Sequence, residues 1–334
     1  MGKVTLLVVF ALLVAGFFFR SPLPVLSVAA EPVARVGGFA ITNTLIATWL
    51  TMIVLLLLFR KATSNMQIVP RGLQNVMEAV IEVLLGLANS VAGPRYARVF
   101  FPLVGTIFFF VLFNSWLALV PGFGPIGIIE KGHGHDVTFS NVAGVGVLMP
   151  QAGLAPIAPE AHPADDGHGP AAGSTFSGTL VPILRGANTD INTTLALALV
   201  AVFFVQVWGF KYQGLVGYGS KFINLTGFKQ GAFIGVIYVV IGLIECVSEL
   251  ARILSFTFRL FGNMFAGEVL LAVIAFLVPF VLADMFYVLE VGVGVVQAVV
   301  FGALTLVFAA SAVAGHGDSH GHEEGHGAAA EAHH

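Results

Sequence analysis

Residues 232–283 read AFIGVIYVVIGLIECVSELARILSFTFRLFGNMFAGEVLLAVIAFLVPFVLA, an apolar run that nevertheless carries Glu245, Glu249, Arg252, Arg259 and Glu268. A membrane-spanning helix needs only about 20 mostly apolar residues. The run therefore overshoots a bilayer and predicts either one extended, tilted helix or a bent pair. The rest of the chain has the same character. Of 334 residues, 57% are hydrophobic and 10% charged, with a mean hydropathy of +0.93, whereas soluble domains carry about 25% charged residues. Such a chain cannot cover itself with a hydrated surface, so it is an integral membrane protein. No basic arm or aromatic-basic interleaving points to nucleic acid. The single cysteine, Cys246, excludes an intrachain disulfide.

Working outward, apolar runs of spanning character cover residues 4–19, 39–59, 99–120, 193–210 and 286–313. Residues 74–91 differ, because Glu78 and Glu82 stand one turn apart on an otherwise apolar helix, which reads as an interfacial segment. The expected fold is all-α, with five to six membrane helices, the last two long and tilted, plus the interfacial helix. The membrane domain covers residues 39–313. Lys and Arg gather at Arg60, Lys61, Arg71, Arg95 and Arg98, and again at Lys211, Lys221 and Lys229. The positive-inside rule places those loops, and by parity the C-terminus, on the cytoplasmic side. The loop between residues 121 and 192 then faces out, with Lys131 and Arg185 as its basic residues. Residues 1–30, with Lys3, a short apolar run and Val28-Ala29-Ala30, fit a cleavable signal peptide. They fit an extra membrane helix equally well.

Two low-complexity stretches stand apart. The outer insert, about residues 122–180, is rich in Gly, Pro and Ala and places His133, His135, His162 and His168 beside Asp136, Asp165 and Asp166. Imidazole with carboxylate suits Zn or Cu, yet the spacing matches no ligand template, and a solvated loop is the stronger reading. Residues 314–334 repeat the theme with His316, His320, His322 and His326 and read as a disordered tail.

Ionisable groups inside apolar helix are the informative feature: Glu245, Glu249, Arg252, Arg259, Glu268, Asp284 and Glu290. Each costs about 2.5–3.5 kcal/mol at a helix centre on insertion scales, so such residues are expected to face a bundle interior or a water-filled path. At 3.6 residues per turn, Glu245, Glu249, Arg252, Arg259 and Asn263 share one stripe, with Ser248 close to it. Glu245 and Glu249 are placed to pair with Arg252 locally. Arg259 has no acid three or four residues away and cannot shed its proton, so its partner must come from elsewhere. Glu268, nine residues on, lies about half a turn around the helix. In the last helix, Glu290 and Gln297 share a stripe seven residues apart. Gly262, Gly267, Gly292, Gly294 and Gly302 are expected to let helices approach closely.

The run Phe258-Arg259-Leu260-Phe261-Gly262-Asn263-Met264-Phe265-Ala266-Gly267-Glu268 resembles the signature of subunit a of F-type ATP synthases. Asp190-Ile191-Asn192-Thr193-Thr194 is similar to the stretch that opens that family's next helix. Gln297, with Ala298, Phe301, Leu304 and Thr305, is similar to its last helix. The resemblance runs from about residue 39 to 311 and omits the outer insert. It implies a stationary membrane subunit that stands against a rotating ring of c subunits, its last two helices packed as a hairpin against that ring. Two aqueous half-channels are implied with it, as are partnership with the subunit b peripheral stalk and with the remaining subunits of the synthase. Carried over, Arg259 matches the family's essential arginine, Asn263 and Gln297 its polar neighbours, and Glu268 the acid of the outer half-channel. Glu290 stands where members carry histidine or glutamate. Glu245 matches an acid near the inner half-channel, with Ser248 on the same path. No nucleotide-binding loop is present, so neither catalysis by this chain alone nor a cofactor is implied.

A secondary cation or anion transporter is the alternative, with Arg259 binding an anionic substrate. It predicts inverted repeats and paired broken helices, which the sequence does not display. A purely structural subunit leaves Arg259, Glu268 and Glu290 without a reason. The expected location is a bacterial plasma membrane, with an organellar inner membrane as the alternative.

Overall fold

The computed structural model describes residues 19–20, 29–120, 123, 126–142, 145–148, 151–152, 175–220, 222, 232–278 and 281–314. Among the described residues, five helices are long and apolar enough to cross a membrane. Of the alternative first helix at residues 4–19, residues 4–18 lie outside the described residues, as does the tail at 315–334.

Helix α1, Asn43–Thr63, follows a hairpin of β2 (Pro32–Val36) and β3 (Phe39–Thr42). Gly37 and Gly38, at φ 55° and 88°, form its turn. Two consecutive positive-φ residues suit the twist of a two-residue hairpin, and only glycine adopts them without strain. The Thr42 side chain caps α1 by accepting from the Leu45 N–H at 3.3 Å. Arg60 and Lys61 occupy its last turn, where the helix dipole favours cations.

Helix α2, Leu73–Ala118, is broken at Gly93 (φ 71°, ψ 160°) just before Pro94. Proline disfavours helical backbone in the residue before it, so two arms result, residues 73–92 and 94–118. The first arm is the segment expected to be interfacial. In it Gln74 Nε2 donates to Glu78 Oε1 at 2.7 Å and to the Gln67 carbonyl at 3.0 Å. Helix α3, Ile191–Gly219, also breaks at a positive-φ glycine, Gly214 (φ 77°), here with no proline following it.

Helix α4, Ala232–Leu277, is continuous over 46 residues. It is therefore one extended helix rather than a bent pair, about 69 Å long against a hydrocarbon core of about 30 Å. It ends at Leu277, earlier than hydropathy suggested, with Pro279 two residues beyond. Helix α5, Val281–Val313, begins earlier in turn, so Asp284 falls in its first turn and is exposed. Asp284 thus leaves the set of charges inside apolar helix, since the N-terminal dipole accounts for an acid there.

The outer insert corrects the expectation of structureless loop. A three-stranded antiparallel sheet forms in the order β5 (Val145–Leu148), β4 (Ile126–Val142), β7 (Thr175–Pro182), and a short pair joins β1 (Phe19–Arg20) to β6 (Gln151–Ala152). Val137, Phe139 and Val142 near the end of β4, and the β-branched residues of β7, supply the strand propensity. The membrane helices are all-α as expected, and the strands are confined to the segments outside them. His133 and His135 fall on β4, whereas His162, His168, Asp165 and Asp166 lie outside the described residues. Among the described residues no cluster of His, Cys, Asp or Glu could hold a metal.

Two compact units share the helices. The first draws on Met1–Met66, Phe108–Thr194 and Thr257–Val299, the second on Gln67–Ile107, Leu195–Phe256 and Val300–His334. The second has an apolar core in which Phe100 meets Trp208 (ring centres 4.5 Å apart) and packs with Leu306 and Ala309. The first is held by buried polar groups. Asn188 Nδ2 donates to the Val111 carbonyl (3.0 Å) and Ser115 Oγ (2.9 Å), while its Oδ1 accepts from Asn114 Nδ2 (3.1 Å). Thr44 Oγ1 donates to Asp190 Oδ2 at 2.8 Å. In lipid no water can take these places, so the groups must satisfy one another.

Replacing Asn188 with Leu removes three of these bonds and orphans the Asn114 amide. A loss of about 1–2 kcal/mol is expected, read as a lowered unfolding midpoint in detergent. Leu56→Ala, at a position 71% exposed, is expected to leave the midpoint unchanged.

Candidate functional site

The charges expected to mark the site divide by what covers them. In the first unit, α4 carries Arg259, Asn263 and Glu268, and α5 carries Glu290 and Gln297. The two helices approach at Gly267, where an added Cβ would collide with the Glu290 carboxylate. Glu290 therefore lies against α4 at Gly267, the residue before Glu268, although the two acids are 22 positions apart in the sequence. The second arm of α2 closes the same region. Ser115 Oγ reaches Met264 Sδ at 3.3 Å, and the Trp116 indole N–H donates to the Val291 carbonyl at 3.2 Å. Gln297 is buried, 8% exposed.

Glu268 has a partner that sequence reasoning did not assign. Arg185 Nε donates to its Oε1 and Arg185 Nη2 to its Oε2, both at 3.1 Å. Arg185 is 7% exposed and its third group, Nη1, donates to the Ala29 carbonyl at 3.2 Å. The residues are 83 positions apart, so no helical spacing could link them. The buried amides were also missed, although Asn114 and Ser115 interrupting the apolar run 99–120 were a usable signal.

Arg259 and Asn263, expected to face a bundle interior, a water path or a partner from elsewhere, are exposed on the surface of the chain. Phe258 beside them is 55% exposed, and Leu254 and Leu270 on the same helix are 54% and 39% exposed. The predicted common stripe of Glu245, Glu249, Arg252, Arg259 and Asn263 exists as helix geometry, but its cover changes along α4. The glycine expectation divides likewise. Gly294 meets Ser115 Cβ at 3.0 Å and Gly267 meets Glu290, but a Cβ on Gly262 or Gly292 would find nothing within 4 Å. Close packing is thus absent at Gly262 and Gly292, neither of which faces a neighbouring helix.

In the second unit Glu249 and Arg252 form the local pair anticipated from spacing, at 2.6 Å. The Arg252 guanidinium also stacks 4.6 Å from the Phe308 ring centre. Tyr218, beyond the Gly214 break, is buried near this pair with its ring against Gly209. Burial pushes its phenol up to about 12, with Glu249 adding to the rise and Arg252 opposing it. Tyr218 is therefore neutral at physiological pH. Glu245 and Ser248 are half-buried on the same helix.

The arrangement offers an acid pair with one member clamped, an exposed guanidinium on an apolar helix face, and a further pair of half-buried polar groups on α4. It holds no nucleophile-base constellation among the described residues. Compared with known proteins, residues 45–310 match the family model described as ATP synthase A chain. The chain is similar to the ATP synthase subunit a of Gloeobacter violaceus, 30% identical over 278 residues, covering 83% of this chain and 86% of the relative. It is also similar to the subunits of the same name from Moorella thermoacetica, at 26% identity over 84% of this chain and 95% of the relative, and from Syntrophobacter fumaroxidans, at 28% over 86% and 90%.

Because Glu290 fills the space over Gly267, Gly267→Ala is expected to push the carboxylate away. ATP-driven proton pumping in inverted vesicles should fall while the complex still assembles. Gly105→Ala, whose Cβ would rest 3.5 Å from the Phe101 ring in ordinary contact, is expected to pump like the parent.

Proposed function

The chain belongs to the ATP synthase A chain family, and from that premise we propose that it passes protons to and from a rotating ring through two half-channels kept apart by Arg259. It is a multi-pass membrane protein, and it contributes ion transfer rather than chemistry of its own. The observation that carries the reading is the exposure of Arg259 on an apolar face of α4. A guanidinium there costs at least about 2.5–3.5 kcal/mol if it faces lipid. A membrane carboxylate on each c subunit is an anion that can meet the exposed guanidinium at that depth.

A proton entering from the outer side reaches Glu268 and Glu290 and neutralises a ring carboxylate. The neutral ring site then faces lipid at little cost. After nearly a full rotation it meets the inner path, assigned to Glu245 and Ser248, and releases its proton. Arg259 attracts the ionised carboxylate and repels a cation, so protons do not leak directly between the paths. Asn263, also exposed one turn from Arg259, supplies a hydrogen-bonding group beside it, and the buried Gln297 of α5 is assigned to the same path. The driving force is about 2.3 kcal/mol per charge per 100 mV.

The remaining synthase subunits, including the subunit b peripheral stalk, hold this chain still against the ring. Its membrane is the plasma membrane of a bacterium, with the C-terminus cytoplasmic as the distribution of Lys and Arg requires. A transporter that binds an anion on Arg259 is less favoured, since an enclosed substrate site needs the guanidinium inside the chain.

Arg259→Ala is expected to abolish ATP-driven proton pumping in inverted vesicles with the complex assembled, and to open a passive leak. Parental pumping would make Arg259 a structural cation and remove the gate.

A further inference from the structure

Arg185 is spent on an acid that the mechanism uses. Its guanidinium engages both oxygens of Glu268 and, on its other side, the Ala29 carbonyl, so it is held from two directions. A planar fork on a carboxylate fixes the orientation of the acid as well as its position. The backbone that carries Arg185 is itself pinned. The Ile183 N–H donates to the Ile126 carbonyl at 3.0 Å, and a Cβ at Gly186 would meet Ala118 Cβ at 2.8 Å. The buried Asn188 amide then ties the following turn to α2 through Val111 and Ser115. A guanidinium on so rigid a mount cannot follow Glu268 if that side chain swings. Glu268 instead takes the orientation that Arg185 sets, immediately beyond the glycine on which the Glu290 carboxylate rests.

We propose that Arg185 is a positioning residue of the outer proton path: its bidentate grip aims the Glu268 carboxylate so that protons exchange between Glu268 and Glu290. The proposal rests on the assignment of those two acids to the outer half-channel. Arg185 touches neither the ring nor the transferred proton, and it acts through Glu268. A lysine at 185 keeps the charge and loses the fork.

The test uses the intact ATP synthase reconstituted in liposomes. Arg185→Gln, Arg185→Lys, Glu268→Gln and the double variant Arg185→Gln/Glu268→Gln are compared for assembly and for synthesis rate across the pH of the outer compartment. Arg185→Gln and Arg185→Lys are expected to assemble, to lose about tenfold to a hundredfold in rate, and to change the shape of the pH profile. The double variant should be no slower than Glu268→Gln alone, since both changes act on one group. Should Arg185→Gln fail to assemble, Arg185→Lys decides: parental rate and profile overturn the proposal, as do losses that multiply in the double variant. Parental synthesis by Glu268→Gln instead removes the outer-path assignment itself, which separates that failure from failure of the role given to Arg185.

Discussion

A guanidinium stays charged at any pH a membrane protein meets, so each arginine among apolar helices must be given an acceptor before its surroundings tolerate it. The chain meets this demand in different ways at three positions. Arg252 is satisfied within its own helix by Glu249 and covered by the face of Phe308. Arg185 is satisfied across 83 residues by Glu268. Arg259, by contrast, stands exposed on an apolar helix surface. Arg185 is buried and Arg252 half-buried, whereas Arg259 lies on a surface that another protein can reach.

The local structure is arranged to hold the acids against that background. Gly267 gives Glu290 room on α4, and any side chain there would occupy the space of the carboxylate. The segment from Ile183 to Asp190 is anchored at both ends, by the Ile126 carbonyl and by Thr44, and in its middle by Asn188. Buried amides do this work where apolar contacts would not. Helix association in lipid gains little from hydrophobicity, whereas an unsatisfied amide costs too much to leave the site.

Much of this was legible in the sequence because membranes impose coarse rules. Runs of apolar residues gave the five described helices, and intramembrane charge pointed to Arg259, Glu268 and Glu290. Spacing alone anticipated the Glu249–Arg252 pair, because residues three apart meet on any helix. Arg185 was not legible as the partner of Glu268: it sits in an extended segment, and its partner depends on how α4 packs beside it. The strands of the outer insert were obscured by glycine and histidine, which carry little periodic signal.

The half-turn between Arg259 and Glu268 has a consequence for the ion path. Nine residues along α4 turn its face by about 180°, so the helix shows a fixed cation on one side and an acid on the other. Glu268 is engaged by Arg185, and Arg259 lies on the exposed surface. On the proposed assignment of the two acids, a proton bound for the ring passes around α4 rather than along it.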